Sequence, residues 1–222
     1  MKSALAPSRC RVAAAVAAGL LCARVSEAQS DEWRFTVRLD DRPVGIHRFV
    51  VKMTDGGSVR VESEARFDVT LLGVPLYRYR HHAAERWSNG CLASIEARTD
   101  DDGNVTEVRG RSQEDRFDLR VVDGQGAASA APVGSCLMSF AYWNPALSRQ
   151  ARLLDPGSGR IEAVAMSTPP AVPPDLAAGA VGLKGLRIAG LPHPIDVWYE
   201  GGRWIGLDTV VGGGRRLSYR LN

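Results

Sequence analysis

The amino-acid sequence predicts a mainly β protein: a large antiparallel sheet, curved or closed into a half-barrel or barrel, with one short helix or plug segment around residues 136–147. Three observations lead there. Apolar side chains recur at every second residue in one segment after another, the period of a half-buried strand and not of a helix. Turn-forming pairs such as Asn89-Gly90 and Gly201-Gly202 separate those segments at fairly regular spacing. No stretch has the helical stripe between two buried strands that a strand–helix–strand unit requires.

In chain order, Trp33, Phe35, Val37 and Leu39 alternate with Arg34, Thr36, Arg38 and Asp40, giving a first strand with one dry and one wet face. Asp41-Arg42-Pro43 reads as its turn and residues 44–53 as the returning strand. Asp55-Gly56-Gly57 leads into a long third strand, with Val59, Val61, Ser63, Ala65, Phe67, Val69 and Leu71 on one face. Gly73-Val74-Pro75 is expected to break it before a fourth strand over residues 76–87. Ser88-Asn89-Gly90 opens a strand over 91–99, a tight turn over 100–103 precedes 105–109, and Phe117, Leu119 and Val121 make another alternating stretch. Residues 124–132 are small and polar enough for a loop. Residues 136–147 are dense in aromatics without alternation, and Pro145 limits any helix there. Residues 155–159 form a turn before a strand at 161–166. Residues 167–180, holding Pro169, Pro170, Pro173 and Pro174, read as an irregular crossing. Residues 195–200 and 203–210 flank Gly201-Gly202 as a hairpin, and a glycine turn at 212–214 precedes a last strand at 217–221.

The N-terminus predicts export. Lys2, Arg9 and Arg11 precede an almost unbroken apolar run over residues 12–23, about the length of a signal-peptide core. A comfortable transmembrane helix needs about 20 apolar residues. Ser26-Glu27-Ala28 offers small residues at −3 and −1, so cleavage is expected after Ala28, leaving a single β-rich domain over residues 29–222 in the periplasm or outside the cell. An uncleaved anchor or a lipoprotein at Cys22 is the competing reading, but Leu21 stands where a lipobox wants Gly, Ala or Ser.

Removing the leader changes the charge. The whole chain has 28 Lys+Arg and 25 Asp+Glu; the leader holds four of the bases (Lys2, Arg9, Arg11, Arg24) and one acid (Glu27), which leaves 24 of each. A neutral chain lacks the basic footprint of a nucleic-acid binder and a polybasic membrane patch. The charged second face of nearly every strand also argues against an outer-membrane barrel, whose outward face is apolar at membrane depth. Two cysteines follow the leader, Cys91 and Cys136. In an oxidising compartment an even pair reads as a disulfide. The other reading is two buried thiols acting as small hydrophobes.

Several blocks together resemble a known family. They are GIHRF (45–49), YRYRH (77–81) with Glu85 and Trp87 following, GCL (90–92) before the TDDDG turn (99–103), CLMSFAYWNP (136–145), WYEGGRW (198–204) and LSYRL (217–221). This pattern is similar to the DUF6134 family of bacterial exported proteins, and more distantly to periplasmic β-sheet proteins of the DUF3108 type. The likeness runs in order through essentially the whole chain beyond the leader, with the Pro-rich residues 168–175 aligning least securely. It implies export and a β-rich fold. It implies no mechanism, since the family has no catalytic residues to carry over.

No catalytic template finds its residues, and nothing requires a cofactor or metal. His81 and His82 are strand neighbours and face opposite ways, and there is no HExxH, CxxC or GxSxG. Ser139 lacks any spacing argument for a histidine partner. The patch of most interest is Tyr77, Tyr79 and His81 on one face of the fourth strand, with Arg78 and Arg80 on the other; Trp87 continues the first face. Aromatic bodies with polar tips suit the wall of a ligand cleft, which Phe140, Tyr142 and Trp143 could close. The bland alternative is amphipathic packing, with the arginines paired to acids on adjacent strands. The expected role is non-catalytic: an exported sheet protein that binds an apolar or amphipathic, lipid-like ligand. The alternatives are a module that docks through its sheet onto an envelope protein, and an unrecognised hydrolase.

Overall fold

The computed structural model describes residues 30–126, 128–134, 136–177 and 181–222. The leader over residues 1–28 and its cleavage site lie outside the described residues.

Eight strands follow one another as an antiparallel meander: β1 (Ser30–Leu39), β2 (Arg42–Met53), β3 (Val59–Leu71), β4 (Val74–Ser88), β5 (Cys91–Asp101), β6 (Asn104–Gln113), β7 (Arg116–Val122) and β8 (Ala128–Gly134). A second run comprises β9 (Arg152–Leu154), β10 (Ile161–Ala163), β11 (Ala165–Ser167), β12 (Lys184–Ala189), β13 (Ile195–Glu200), β14 (Arg203–Val211) and β15 (Arg215–Leu221). Thirteen of them form one sheet, ordered β11-β12-β13-β14-β15-β1 and on through β8. The one join out of sequence sets β15 against β1, with Phe35 opposite Leu221 and Val37 opposite Tyr219. The edges β8 and β11 do not pair with each other, so the sheet is not closed. β9 and β10 pair separately, and Leu153 and Leu154 are fully buried in the core.

Five hairpins turn where both central residues adopt positive φ: Asp40-Asp41, Leu72-Gly73, Asn89-Gly90, Asp102-Gly103 and Gly201-Gly202. That geometry matches the right-handed twist of paired strands. The turns expected at 41–43 and 73–75 therefore sit earlier, and Pro75 lies inside β4. The ladder slips beside it, between Val69 and Thr70 of β3, so its missing N–H breaks no regular pairing. The loop expected over 124–132 contains β8, an edge strand; backbone pairing needs no large side chains, and an edge accepts Pro132. The single strand expected at 161–166 is two, β10 on β9 and β11 on β12. Between them the Val164 N–H donates to the Ala151 carbonyl at 2.9 Å. β12 is not legible in the sequence, because Gly185 interrupts its pattern. A Cβ there would lie 2.6 Å from Trp198 and 2.8 Å from Pro169, so packing accounts for the glycine.

The segment after β8 is an irregular plug and not a helix. Leu137, Met138, Ala141 and Leu147 are buried on the concave side of the sheet, and a 3-10 turn, Pro145–Arg149, ends it with the Asn144 side chain accepting from the Ala146 N–H. A disulfide joins Cys91 at the start of β5 to Cys136, and the adjacent Leu92 N–H donates to the Leu137 carbonyl at 2.9 Å. Trp204, 1% exposed, centres the core, with ring centroids 4.2 Å from Phe35, 5.0 Å from Phe49 and 5.1 Å from Tyr142. The Pro-rich crossing straps the outer face of β12 to β15. Trp198 is buried beneath it, and Arg220 bridges Asp175 of the strap to Asp208. Elsewhere the outer face carries cross-strand ion pairs, among them Arg80–Asp68 at 2.7 Å and Arg78–Asp100 at 3.2 Å. Exposed pairs of this kind each contribute little. Among the described residues no helix is long and apolar enough to cross a membrane.

Candidate functional site

Register places the inward residues in rows across the sheet. One row runs Tyr219, Val37, Gly45, Phe67, Tyr79. The next runs Phe35, His47, Ala65, His81, Thr99, and the third begins Trp33, Phe49, Ser63, Ala83. Gly45 is required: a Cβ would lie 1.9 Å from the Arg66 carbonyl oxygen. Across that gap the rings of Tyr219 and Phe67 come to 6.2 Å. Ala65, 1% exposed, separates the two histidines and lets their rings approach to 6.3 Å.

The rows form a polar belt inside an otherwise apolar concavity. His47 Nε2 is 2.8 Å from the Ser63 hydroxyl and Nδ1 is 3.4 Å from the Tyr219 hydroxyl. His81 Nδ1 is 2.9 Å from Thr99 Oγ1. Burial, followed by the neighbouring His81, holds His47 well below the usual histidine pKa. Burial lowers His81 to about 4, with Asp155 opposing. Both imidazoles are neutral at pH 7. Nε2 of His81 has no partner among the described residues, although the residue is only 8% exposed. Asp155 belongs to the turn before β10. Its carboxylate accepts from the Gly157 N–H at 2.8 Å and the Ser158 hydroxyl at 2.6 Å, which fixes the turn against Tyr79 and Thr99.

Two adjoining cavities meet at this belt. The inner, about 370 Å³, is lined by His47, Ser63, Tyr79, His81 and Asp155 on one side and by Phe140, Tyr142, Ile195 and Leu207 on the other. The outer, about 570 Å³, opens at the end of the sheet between Val44, Phe67, Val69, Leu76 and Tyr77, with Asp101 and Arg215 at its rim. His47, Tyr79, Leu217 and Tyr219 line both. Each volume falls in the roughly 300–1,000 Å³ range of small-molecule sites. The charged side chains lining the inner cavity are acids, Asp155 and Glu162; among the described residues no Lys or Arg lines it, although Arg160 pairs with Glu162 at 3.1 Å.

Of the residues singled out in the sequence, Tyr79, His81, Phe140 and Tyr142 line the inner cavity and Tyr77 lines the outer, its hydroxyl donating to Asp101 at 2.6 Å. Trp87 and Trp143 line neither; they pack edge to face at 5.4 Å in the core. The arginines of β4 do pair with acids on adjacent strands, so the packing alternative describes the outer face and the clefts the inner. His82 is exposed while His81 is buried, and among the described residues no three His, Cys, Asp or Glu side chains converge to hold a metal ion. His47, Tyr219 and Asp155 were not identified as one site. One signal was available: His47 and Ser63 fall at apolar positions of the alternation. Ser139 bonds Glu85 within the core and meets neither histidine.

Among the described residues Glu85 is the buried carboxylate, 6% exposed. Burial raises it to about 7 against hydrogen bonds from Ser139 and from Trp87 Nε1, the latter at 2.9 Å. Its folded pKa stands above the unfolded value, so folding takes up a proton. That contribution is complete below about pH 4.5 and is lost as pH rises through about 7, amounting to about 3 kcal/mol. Glu85→Gln is expected to stabilise the protein about 2–3 kcal/mol more at about pH 8 than at about pH 5. Chemical unfolding at the two pH values checks this, and an equal change at both would show that Glu85 does not titrate through burial.

The arrangement has structural and family counterparts. The chain is similar to a crystallised β-barrel-like protein of domain of unknown function DUF1849 from Brucella abortus, with a TM-score of 0.56 and 12% identity over 88% of this chain and 96% of that one. At that identity the likeness concerns the fold alone. No curated protein matches the chain. The model of a family described as a domain of unknown function (DUF6134) matches residues 35–222. With nearly every strand inside that match, the chain belongs to the DUF6134 family.

Proposed function

We propose that this is an exported protein of the bacterial envelope, cleaved after Ala28, whose concave sheet binds a single-chain amphiphile. The hydrocarbon part lies along the apolar outer cavity and the head reaches the polar belt. The observation that carries this reading is His81, whose Nε2 stands unbonded in the wall of a cleft that is otherwise lined largely by aromatic and aliphatic groups. His81 lines the cavity, where a ligand hydroxyl or amide can hydrogen-bond to that nitrogen. Glu162 is paired with Arg160 at 3.1 Å, but among the described residues Asp155 carries no such pair in the cavity wall, which disfavours a carboxylate head and favours a hydroxyl, amide or amine. The disulfide accords with an oxidising compartment.

The Ser63–His47 contact invites a second reading, acyl transfer. Ser63 sits mid-strand with β2 and β4 paired on either side, so the backbone N–H groups around it are engaged in the ladder. No pair of donors is left there for an oxyanion. Binding is therefore the better account of the same residues.

The test is titration of delipidated protein with a monoacylglycerol, a long-chain amine and a fatty acid of equal chain length. The first two are expected to bind more tightly than the fatty acid. Leu217→Trp, which fills both cavities, is expected to weaken binding on the order of tenfold or more while the melting temperature holds. Equal affinity for all three heads, or binding unaffected by the tryptophan, would place the ligand elsewhere. Covalent labelling of Ser63 by a fluorophosphonate would favour the hydrolase.

A further inference from the structure

The β3–β4 hairpin continues past both of its neighbours. Pairing of β2 with β3 ends at Gly45–Phe67, and pairing of β4 with β5 ends at Tyr79–Asp101. The next rung, Asp68–Arg78, is still tied to the β5 side by the Asp102 N–H donating to the Arg78 carbonyl at 2.8 Å, and beyond it β3 and β4 pair with each other at Val69–Tyr77, Thr70–Pro75 and Leu71–Val74. At about 3.3 Å per residue, this two-stranded ribbon stands about 10 Å clear of the adjoining ladders.

Its composition is unlike the rest of the molecule. Residues 69–77, VTLLGVPLY, contain no charge, although Asp68 and Arg78 flank them directly. Leu72 is 97% exposed, Val74 58% and Leu76 56%. Leu72 also occupies the first central position of its turn at φ 51°, where the other two-residue turns use Asp, Asn, Gly or Glu, all polar or without a side chain. A leucine there satisfies neither the backbone nor the solvent, so its side chain is accounted for by something outside the fold. At the base of the ribbon lies the outer cavity, with Val69, Leu76 and Tyr77 in its wall.

We propose that this hairpin is a membrane-docking element: its tip inserts into the surface of a lipid bilayer and sets the mouth of the cleft against the lipid. The exposed apolar side chains sit at the apex, Leu72, and along the β4 arm, Val74 and Leu76, with part-buried Val69 on the β3 arm. A protein groove covers one face of a ribbon, whereas acyl chains surround every side. Behind the tip comes Tyr77, at the depth where tyrosine favours the membrane interface, and behind that the charged ring of Asp68, Arg78 and Arg80. The rim carries both signs, with Asp40 and Asp101 beside Arg215 and Arg78, so the apolar tip and not a basic patch drives the association. Uptake of ligand at that surface rests on the cleft reading; the docking itself does not.

The two are separated by comparing the wild type with Leu72→Asp and Leu72→Asp/Val74→Asp, positions that line neither cavity. The wild type is expected to float with vesicles of phosphatidylethanolamine and phosphatidylglycerol, and the variants to partition less by on the order of tenfold or more. Asp suits the turn, so the melting temperature of Leu72→Asp should hold or rise. Binding of a monomeric monoacylglycerol from solution should be the same in all three proteins, while its extraction from vesicles slows in the variants. Wild-type protein that stays with the unbound fraction, or variants that float equally well, would overturn docking. Crosslinking from position 72 to a protein in place of lipid would overturn it too. Loss of monoacylglycerol binding from solution by the wild type would instead overturn the cleft reading and leave the flotation result to stand alone.

Discussion

Replacing Trp204 with alanine is expected to destabilise the protein by about 4 kcal/mol, in the range for removal of a fully buried large aromatic from a core. The indole is 1% exposed and its Nε1–H is satisfied by the Gly206 carbonyl at 2.9 Å, so no compensating solvation is regained. It contacts Phe35 and Phe49 on the sheet and Tyr142 on the plug. The cavity left behind therefore opens between two layers held apart by different segments, where collapse is least able to fill it. Tyr142 loses its backing, and with it one wall of the inner cavity, so amphiphile binding should weaken in the same variant. Denaturant unfolding reads the first effect and titration the second. A loss below about 1.5 kcal/mol would mean that the plug and sheet repack readily and that Trp204 is not the keystone between them.

Breaking the Cys91–Cys136 disulfide is expected to cost about 4 kcal/mol in the chain-entropy model, for residues separated by 45 positions. The bond closes the loop containing β5 through β8 and fixes the first residue of the plug beside the start of β5. Among the described residues one backbone hydrogen bond, Leu92 to Leu137, repeats that tie nearby. Without the disulfide the plug can leave the concavity while the meander persists. Cys91→Ser/Cys136→Ser should thus lower the denaturant midpoint by an amount that added reductant reproduces in the wild type. Identical midpoints with and without reductant would show that the plug is held by packing alone.

Much of this architecture was legible because alternation is a direct readout of a half-buried sheet. The parity of β4 places Tyr79, His81 and Glu85 inward and Arg78 and Arg80 outward, and the structure keeps that parity from Tyr79 to Trp87, beyond the slip at Leu76. What the pattern could not convey was pairing over long sequence distances. His47 meets Tyr219 across a separation of 172 residues, through a β15–β1 join that no local signal announces. Asp155 lies in a DPGSG stretch whose composition says turn; that the same carboxylate faces the cleft depends on where the plug carries it. β8 and β12 were hidden because small residues and glycine mute alternation while leaving the backbone free to pair. Trp87 and Trp143 illustrate the opposite error. Aromatic character fits a cleft wall and a dry core equally, and only the packing of Trp143 of the plug against Trp87 of the sheet decides between them.

The cleft's occupancy is most directly decided by native mass spectrometry of protein purified from the envelope fraction of expressing cells without detergent. The expected result is a mass shift of one amphiphile of a few hundred daltons per chain, released by organic solvent and absent from Leu217→Trp prepared alongside. A spectrum of unliganded chain alone, together with no uptake of monoacylglycerol or long-chain amine by the delipidated protein, would contradict the binding role.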